Sequence, residues 1–286
     1  MTVTIGSTTW TFEALGYRPT MTCDDEDLSA RLAALLSHLA GAHRTARRTD
    51  DITVARQPDG TYRIGSTTSG DVDVPGAAAA VDHLQWHLNS QVVDVVHTHS
   101  TGLHAAAAAT GGATVLLPAV SGAGKSTLVA ALVRDGWSYL TDEAVEVDDD
   151  LTAHGYPKAI TIDPGAQPLF PELRPQWDDT ASWYVSPDDF ASGWSATPLP
   201  ISHVVFPQYS PDRPVDVRRL GPAATVVALA QCTFYFNSDG ERHLPLLARL
   251  ARTVPAFEIE YPDLESALTL VRDILREVPP AAGGVR

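Results

Sequence analysis

Cysteine and positive charge are both scarce in this 286-residue sequence. Its 2 cysteines, Cys23 and Cys232, lie far apart, which argues against a disulfide framework and favours a reducing compartment. The formal net charge of -15 at pH 7 argues against a general nucleic-acid-binding protein, because neutralising phosphates requires clustered Lys and Arg side chains. A nucleotide such as ATP needs only a local positive site and is compatible with this charge.

The sequence also lacks long apolar runs and a recognisable export signal. The stretch MTVTIGSTTWTFEALG has no basic start followed by an apolar segment, so no secretory signal is predicted. No apolar run reaches the length of a membrane span. Hydrophobic residues make up 44% of the chain and charged residues 19%, which is typical of a soluble globular protein. We therefore expect a cytoplasmic protein that does not associate with membranes.

The first part of the chain, residues 1–96, is predicted to be a small α+β region. Leucines at helical spacing predict a helix over residues 25–41 that ends at Gly41. Asp59-Gly60 lies between two alternating segments and predicts a hairpin turn. A second helix is predicted over residues 75–94.

From residue 97 the pattern changes to strands and helices in succession. The apolar segment ATVLLPAV precedes the amphipathic segment STLVAALVRDG, and WSYLT follows as a strand. Further strands are predicted at ISHVVFP and AFEIEY, and the last helix ends near residue 278. The expected fold class is α/β, with a second domain over residues 97–278 and a flexible tail over residues 279–286.

Residues 163–200 have no clear periodicity and contain seven prolines and three tryptophans, Trp177, Trp183 and Trp194. A long irregular segment of this kind is either a functional flap or a disordered insertion, and the aromatic content favours a flap. The tryptophans cover a bound peptide or base, or they only pack the segment down.

The stretch AVSGAGKS, residues 119–126, is close to the phosphate-binding pattern G-x-x-x-x-G-K-[ST], with Ala119 in place of the first glycine. Glycines in such a loop let backbone N–H groups converge on phosphate oxygens at the beginning of a helix. The alternative is a chance Gly/Ser/Lys turn, which the strand before and the helix after the loop argue against. The candidate nucleotide-binding residues are Ser121, Gly122, Ala123, Gly124, Lys125, Ser126 and Thr127.

An acidic pair, Asp142-Glu143, follows Lys125 by only 17 residues, at the end of the next predicted strand. Ligands of α/β sheets bind at the carboxyl ends of strands, where the loop and this pair would both emerge. Asp142 could hold Mg²⁺ together with Ser126, or accept a proton from an attacking hydroxyl. The alternative is a solvated strand end without a chemical role.

The segment LHAAAAATGGATVLLPAVSGAGKSTLVAALVRDGWSYLTDEAV resembles the catalytic core of the HPr kinase/phosphorylase family, which has a phosphoenolpyruvate carboxykinase-type nucleotide fold. His104 matches the histidine that this family places before the loop, and Asp142-Glu143 match its two acids. The resemblance implies that Asp142 is the general base and that His104 lies nearby in the site. The candidate metal ligands are Ser126, from the loop pattern, and the acids Asp142 and Glu143. Later segments resemble the short HPr-kinase-like proteins of peptide-natural-product gene clusters.

The function expected from the residues and the resemblance is a Mg·ATP-dependent kinase that phosphorylates a hydroxyl, foremost a serine of a peptide or small protein such as a lasso-peptide precursor. Lys125 and the loop would hold the triphosphate, and the family resemblance also implies a homo-oligomer. Ala119 and Glu143 depart from the family pattern and leave a second hypothesis open, a nucleotide-binding accessory protein that presents a peptide without phosphotransfer. Kinase action on a free small molecule is the third.

Several other polar residues allow two interpretations. His83 and His87 are four residues apart on a predicted helix and could bind zinc with His97 and His99, but structural histidines are favoured, with His97 and His99 on either side of a strand. Lys158 either neutralises a transferring phosphate or is a solvated lysine.

Overall fold

The computed structural model describes residues 2–4, 7–40, 45–173, 177, 179–190 and 193–278. Over these residues the protein is mixed α/β, with six α-helices and three sheets. The predicted helix end at Gly41 and the predicted tail at residues 279–286 lie outside the described residues. By its internal contacts the chain divides into two compact units: unit 1 is Met1–Thr98 with Lys158–Ser186, and unit 2 is His99–Pro157 with Pro187–Arg286.

The helices are α1 Glu26–Leu36, α2 Gly76–His99, α3 Lys125–Arg134, α4 Pro222–Cys232, α5 Phe236–Thr253 and α6 Leu264–Glu277. The strands are β1 Thr2–Thr4, β2 Ser7–Thr11, β3 Tyr17–Cys23, β4 Arg48–Arg56, β5 Tyr62–Ser66, β6 Gly70–Val74, β7 Thr101–Thr110, β8 Ala113–Pro118, β9 Ser138–Thr141, β10 Ala144–Val147, β11 Thr152–His154, β12 Ile160–Ile162, β13 Trp183–Val185, β14 Leu199–Pro200, β15 His203–Tyr209, β16 Asp216–Leu220 and β17 Ala256–Tyr261. None of the helices in the described part of the chain is long and apolar enough to cross a membrane.

Unit 1 is built on a six-stranded sheet with its strands in sequence order, β1 to β6. The predicted hairpin is confirmed: β4 and β5 pair antiparallel, with Asp59-Gly60 in the turn between them. The Asp25 side chain caps α1 by accepting a hydrogen bond from Leu28 N at 2.8 Å. The leucines predicted to share one face of α1 do so, and Leu28, Leu32 and Leu35 are buried.

A buried carboxylate, Asp50 on β4, is the polar centre of unit 1. Tyr17 Oη donates to Asp50 Oδ2 at 2.7 Å, His87 Nε2 lies 2.9 Å from the same oxygen, and hydroxyls from the turn after β5 also donate to the carboxylate. Burial would raise the pKa of Asp50, but these hydrogen bonds outweigh it and hold the pKa well below its usual range. His87 therefore has a structural role in this network, as the favoured interpretation of the helical histidines predicted.

Replacing Asp50 with asparagine is expected to destabilise unit 1 by about 3 kcal/mol, because the donors around it lose a charged acceptor. Since the folded-state pKa of Asp50 is depressed, its contribution is present above the unfolded pKa of about 4 and is lost as the pH falls below that value. Urea unfolding of wild type at decreasing pH measures this loss. Asp51→Asn is the matched control, since Asp51 is the next residue and is exposed. Equal effects of the two substitutions would contradict the assignment.

Unit 2 contains a nine-stranded sheet in the order β14-β11-β10-β7-β8-β15-β17-β16, with β9 also paired to β7. β8, β15 and β17 are parallel, whereas β7 runs antiparallel to β8. Ala105–Ala108 in β7 are fully buried, and α3 packs against this strand. The small side chains of this strand allow α3 to approach the sheet closely. The loop after β8 leads directly into the beginning of α3.

Two interpretations of individual residues change with the structure. His97 and His99 lie in the last turn of α2, so the expectation that they straddle a strand is wrong; the helix simply continues past residue 94. Lys158 is not a solvated lysine, because it is 2% exposed and its Nζ donates to Ala159 O at 3.1 Å. Residues 158–186, which the sequence placed in the second region, group with unit 1.

The described part of residues 163–200 contains short strands and turns, and its tryptophans have partners within their own units. In unit 1, the guanidinium of Arg31 lies 5.3 Å from the ring centroid of Trp177, and Trp183 lies in β13. In unit 2, Trp194 Nε1 donates to Asp188 Oδ1 at 3.1 Å. These contacts are those expected if the tryptophans pack the segment down.

Candidate functional site

The predicted phosphate loop joins the end of β8 at Pro118 to the beginning of α3 at Lys125. Gly122 and Gly124 have φ values of 83° and 92°, a left-handed conformation that glycine adopts without strain. Ala119 is not among the residues with positive φ. The first position of the pattern therefore does not require glycine here, which explains why alanine is tolerated. The loop leads the backbone into a helix N-terminus, where N–H groups and the helix dipole favour an anion.

Lys125 places a buried ammonium group against the loop. Its Nζ donates to Val120 O at 3.2 Å, and the residue is 6% exposed. Burial lowers the pKa of Lys125, while the charges of Glu143 and Asp142 act in the opposite direction. Lys125 and Lys158 are the only lysines in the chain. One of the two lysines thus lies buried against the loop, where the burial of its charge costs free energy. A bound polyanion would compensate for this cost.

The acidic pair lies in a break between two strands that share one partner. β9 ends at Thr141, as predicted, but β10 begins at Ala144 and both pair antiparallel with β7. Glu143 O accepts a hydrogen bond from Ala105 N at 3.2 Å, and Ala105 is also the register partner of Pro118. Loop and acidic pair are therefore level with each other on opposite sides of β7.

Asp142 is a buried, hydrogen-bonded carboxylate. It is 2% exposed, so the alternative of a solvated strand end does not hold for it. Tyr139 Oη donates to Asp142 Oδ1 at 2.9 Å. Burial raises the pKa of Tyr139 well above its usual value, and the charge of Asp142 raises it further, so the phenol stays protonated and remains a donor. Tyr139 was not predicted from the sequence, where its only signal is a tyrosine in the strand that leads into the acids.

His104 lies on β7, close to the acidic pair and to the ammonium group of Lys125. Its Nε2 is 3.7 Å from Glu143 Oε1, and Ala144 is its register partner. Burial and the neighbouring charge of Lys125 lower the pKa of His104 to about 4, against an opposing effect of Asp142. At neutral pH the imidazole is therefore uncharged and acts as a hydrogen-bonding group.

The structure thus brings His104, Lys125, Asp142 and Glu143 together, as the sequence predicted. Ser121 and Gly122 are exposed in the loop, Ala123 is buried and Gly124 half-buried, and Ser126 and Thr127 lie partly exposed in the first turn of α3. The hydroxyl of Ser126 and the carboxylates of Asp142 and Glu143 are hard oxygen donors. Such donors suit Mg²⁺ and would be a poor set for zinc.

The two loop glycines allow a matched test of the loop geometry. Alanine at Gly122 is expected to cost about 1 kcal/mol, since only the left-handed backbone penalises it. Alanine at Gly124 is expected to cost more, because its Cβ would also lie 3.0 Å from Tyr261 Oη. Urea unfolding of the unliganded variants measures both, and Tyr261→Phe should recover the difference in the Gly124→Ala background. Equal costs, or no recovery, would contradict this geometry.

Comparison of the chain with protein-family models and with curated protein sequences finds no match.

Proposed function

We propose that the protein is a Mg·ATP-dependent kinase that transfers the γ-phosphate to a hydroxyl group, with a core of the HPr-kinase-like, phosphoenolpyruvate carboxykinase type. The observation that carries the proposal is that β7 lies between the phosphate loop and the acidic pair. The phosphate loop lies on one side of β7 and Asp142-Glu143 on the other, level with each other. A phosphate loop alone would support nucleotide binding; a buried carboxylate at this position adds a group that can receive a proton.

In the proposed reaction the oxygen of an acceptor hydroxyl attacks the γ-phosphorus, the bond from this phosphorus to the β–γ bridging oxygen breaks, and ADP leaves. The hydroxyl proton passes to Asp142, whose carboxylate Tyr139 holds in place. Lys125 and the N–H groups of the loop stabilise the negative charge on the phosphates, which is the main protein contribution in phosphoryl transfer. His104, uncharged at neutral pH, donates or accepts a hydrogen bond without adding charge.

Magnesium fits the donor set of the site. Ser126 and Glu143 would hold Mg²⁺, which supplies charge neutralisation at the phosphates when it is bound. Glu143 is one methylene longer than aspartate and is the partly exposed member of the pair, so it is assigned to the ion. Asp142 is the buried member of the pair and is assigned the proton.

The acceptor that we propose is a serine in a peptide or small protein, in a cytoplasmic setting where ATP is available. A homo-oligomer is part of the proposal only through the family resemblance. Modification of a precursor peptide would fit the likeness to short kinases of peptide-natural-product clusters.

The experiment that tests the function is transfer from γ-labelled ATP, with Mg²⁺, to a panel of peptides encoded near the gene and to free serine and sugars. Label on a peptide serine supports the proposal. ATP binding without label on any acceptor supports the accessory-protein hypothesis instead, and label only on a free metabolite supports the small-molecule kinase. Chelation of Mg²⁺ should abolish the transfer.

A further inference from the structure

Two tyrosines end neighbouring parallel strands beyond the phosphate loop. Leu116 on β8 lies opposite Val204 on β15, so Pro118, the last residue of β8, is level with Phe206. β15 continues three residues further to Tyr209, which lies opposite Tyr261 at the end of β17. Strand ends are where ligands of such sheets bind, and these two extend past the end of β8 by roughly 10 Å, alongside the loop.

Tyr261 presents a buried hydroxyl to the loop. The residue is 2% exposed, and within the described part of the chain its Oη has no hydrogen-bond partner. A Cβ atom added to Gly124 would lie 3.0 Å from this oxygen. Burial raises the pKa of Tyr261, so the group is a protonated donor. A buried hydroxyl without a partner is costly, and one placed against a helix N-terminus indicates that a ligand acceptor satisfies it.

Tyr209 presents an aromatic face beside it. The two ring centroids are 6.1 Å apart, and Tyr209 Cβ lies 3.5 Å from the position of the added Gly124 Cβ. In contrast to Tyr261, Tyr209 is 49% exposed. A half-exposed ring that packs beside a second ring is suited to stacking against a planar group.

The order of the strands decides which end of a nucleotide these tyrosines would meet. The acids and His104 are on the β7 and β10 side of β8, whereas both tyrosines are on the β15 and β17 side. If the γ-phosphate lies next to Asp142, the rest of the triphosphate crosses the beginning of α3 in the opposite direction. The α-phosphate and the nucleoside then reach the ends of β15 and β17.

From this arrangement we propose that Tyr209 and Tyr261 form the nucleoside end of the site: the Tyr261 hydroxyl donates to an α-phosphate oxygen, and the Tyr209 ring stacks on the base. This inference rests on the proposed nucleotide function and deepens it by assigning the direction in which the nucleotide lies. It assigns a base-recognition role to residues outside the phosphate-loop motif.

Binding of ATP and of inorganic tripolyphosphate, measured by calorimetry, separates the two contacts, because tripolyphosphate has no base. Tyr209→Ala is expected to raise the Kd for ATP by about tenfold and to leave the Kd for tripolyphosphate unchanged. Tyr209→Phe keeps the ring and should bind both ligands like wild type. Tyr261→Phe, which removes a single oxygen, should raise the Kd for both ligands by roughly tenfold.

Each outcome has a defined meaning. A Tyr209→Ala variant that loses affinity for both ligands equally, or for neither, overturns the stacking contact, and an unchanged Tyr261→Phe overturns the phosphate contact. Wild type that binds tripolyphosphate as tightly as ATP overturns the nucleoside site but leaves a phosphate site in place. Wild type that binds neither ligand overturns the proposed nucleotide function itself, and this inference with it.

Discussion

Replacing Asp142 with asparagine is expected to lower the rate of phosphoryl transfer by about 10²- to 10⁴-fold, the range for losing a general base. Asparagine has the same shape and still accepts the hydrogen bond that Tyr139 Oη donates to Asp142 Oδ1. The folded structure should therefore persist, while the proton of the acceptor hydroxyl has no carboxylate to receive it. The rate is measured with γ-labelled ATP and saturating acceptor.

The affinity for Mg·ATP separates the two roles that the sequence allowed for Asp142. If Asp142 is the base, the Kd for Mg·ATP stays close to that of wild type while the rate falls. A Kd that rises together with the loss of rate would instead identify Asp142 mainly as a metal ligand. Tyr139→Phe serves as an intermediate variant, since it removes the donor that positions the carboxylate, and we expect a loss of about tenfold. An Asp142→Asn variant with wild-type rate would contradict the mechanism.

Replacing Lys125 with methionine is expected to raise the Kd for Mg·ATP by about 10- to 100-fold, because a charge-assisted contact to the phosphates is lost. The stability of the unliganded protein should change much less. Burial lowers the pKa of Lys125, which shows that its ammonium group is held at a cost in free energy, and methionine fills a similar volume without that cost. A large loss of affinity with little change in stability would distinguish a functional lysine from a structural one.

Lys158→Met is the matched control, since Lys158 is the only other lysine and is also buried. It should leave the Kd for Mg·ATP unchanged. A loss of affinity in Lys158→Met equal to that in Lys125→Met would support the alternative that Lys158 neutralises a phosphate. Urea unfolding and calorimetry on the same preparations provide both quantities.

The sequence predicted the loop, its flanking strand and helix, and the acidic pair, because all of these are encoded locally. An apolar strand, glycines at positive-φ positions and an amphipathic helix fall within residues 113–134. His104 was identified through a family resemblance and not through its own context. The structure places it next to the loop, since Ala105, the following residue, pairs with Pro118 at the beginning of the loop.

Other features depend on pairings between distant residues, which local patterns do not encode. Tyr209 and Tyr261 become neighbours only because β15 and β17 are parallel strands 52 residues apart in register. Lys158 looked solvated because lysine is seldom buried. The Asp50 network has one signal in the sequence. Asp50, Ile52 and Val54 are spaced two residues apart in β4, which places the carboxylate on the same face as buried apolar residues. The two-residue spacing of His97 and His99 predicted a strand, but α2 continues through both residues.

In the proposed site the triphosphate of ATP lies over Lys125, and lysine acetylation mapped by mass spectrometry reports on this contact. The chain has only two lysines, so each peptide reports on one of them. With Mg·ATP present, acetylation of Lys125 should slow by about tenfold, the effect of 90% occupancy of the site, while acetylation of Lys158 continues at its unliganded rate. Saturating ATP that is bound, as calorimetry shows, but leaves both acetylation rates unchanged would contradict a nucleotide site at this loop.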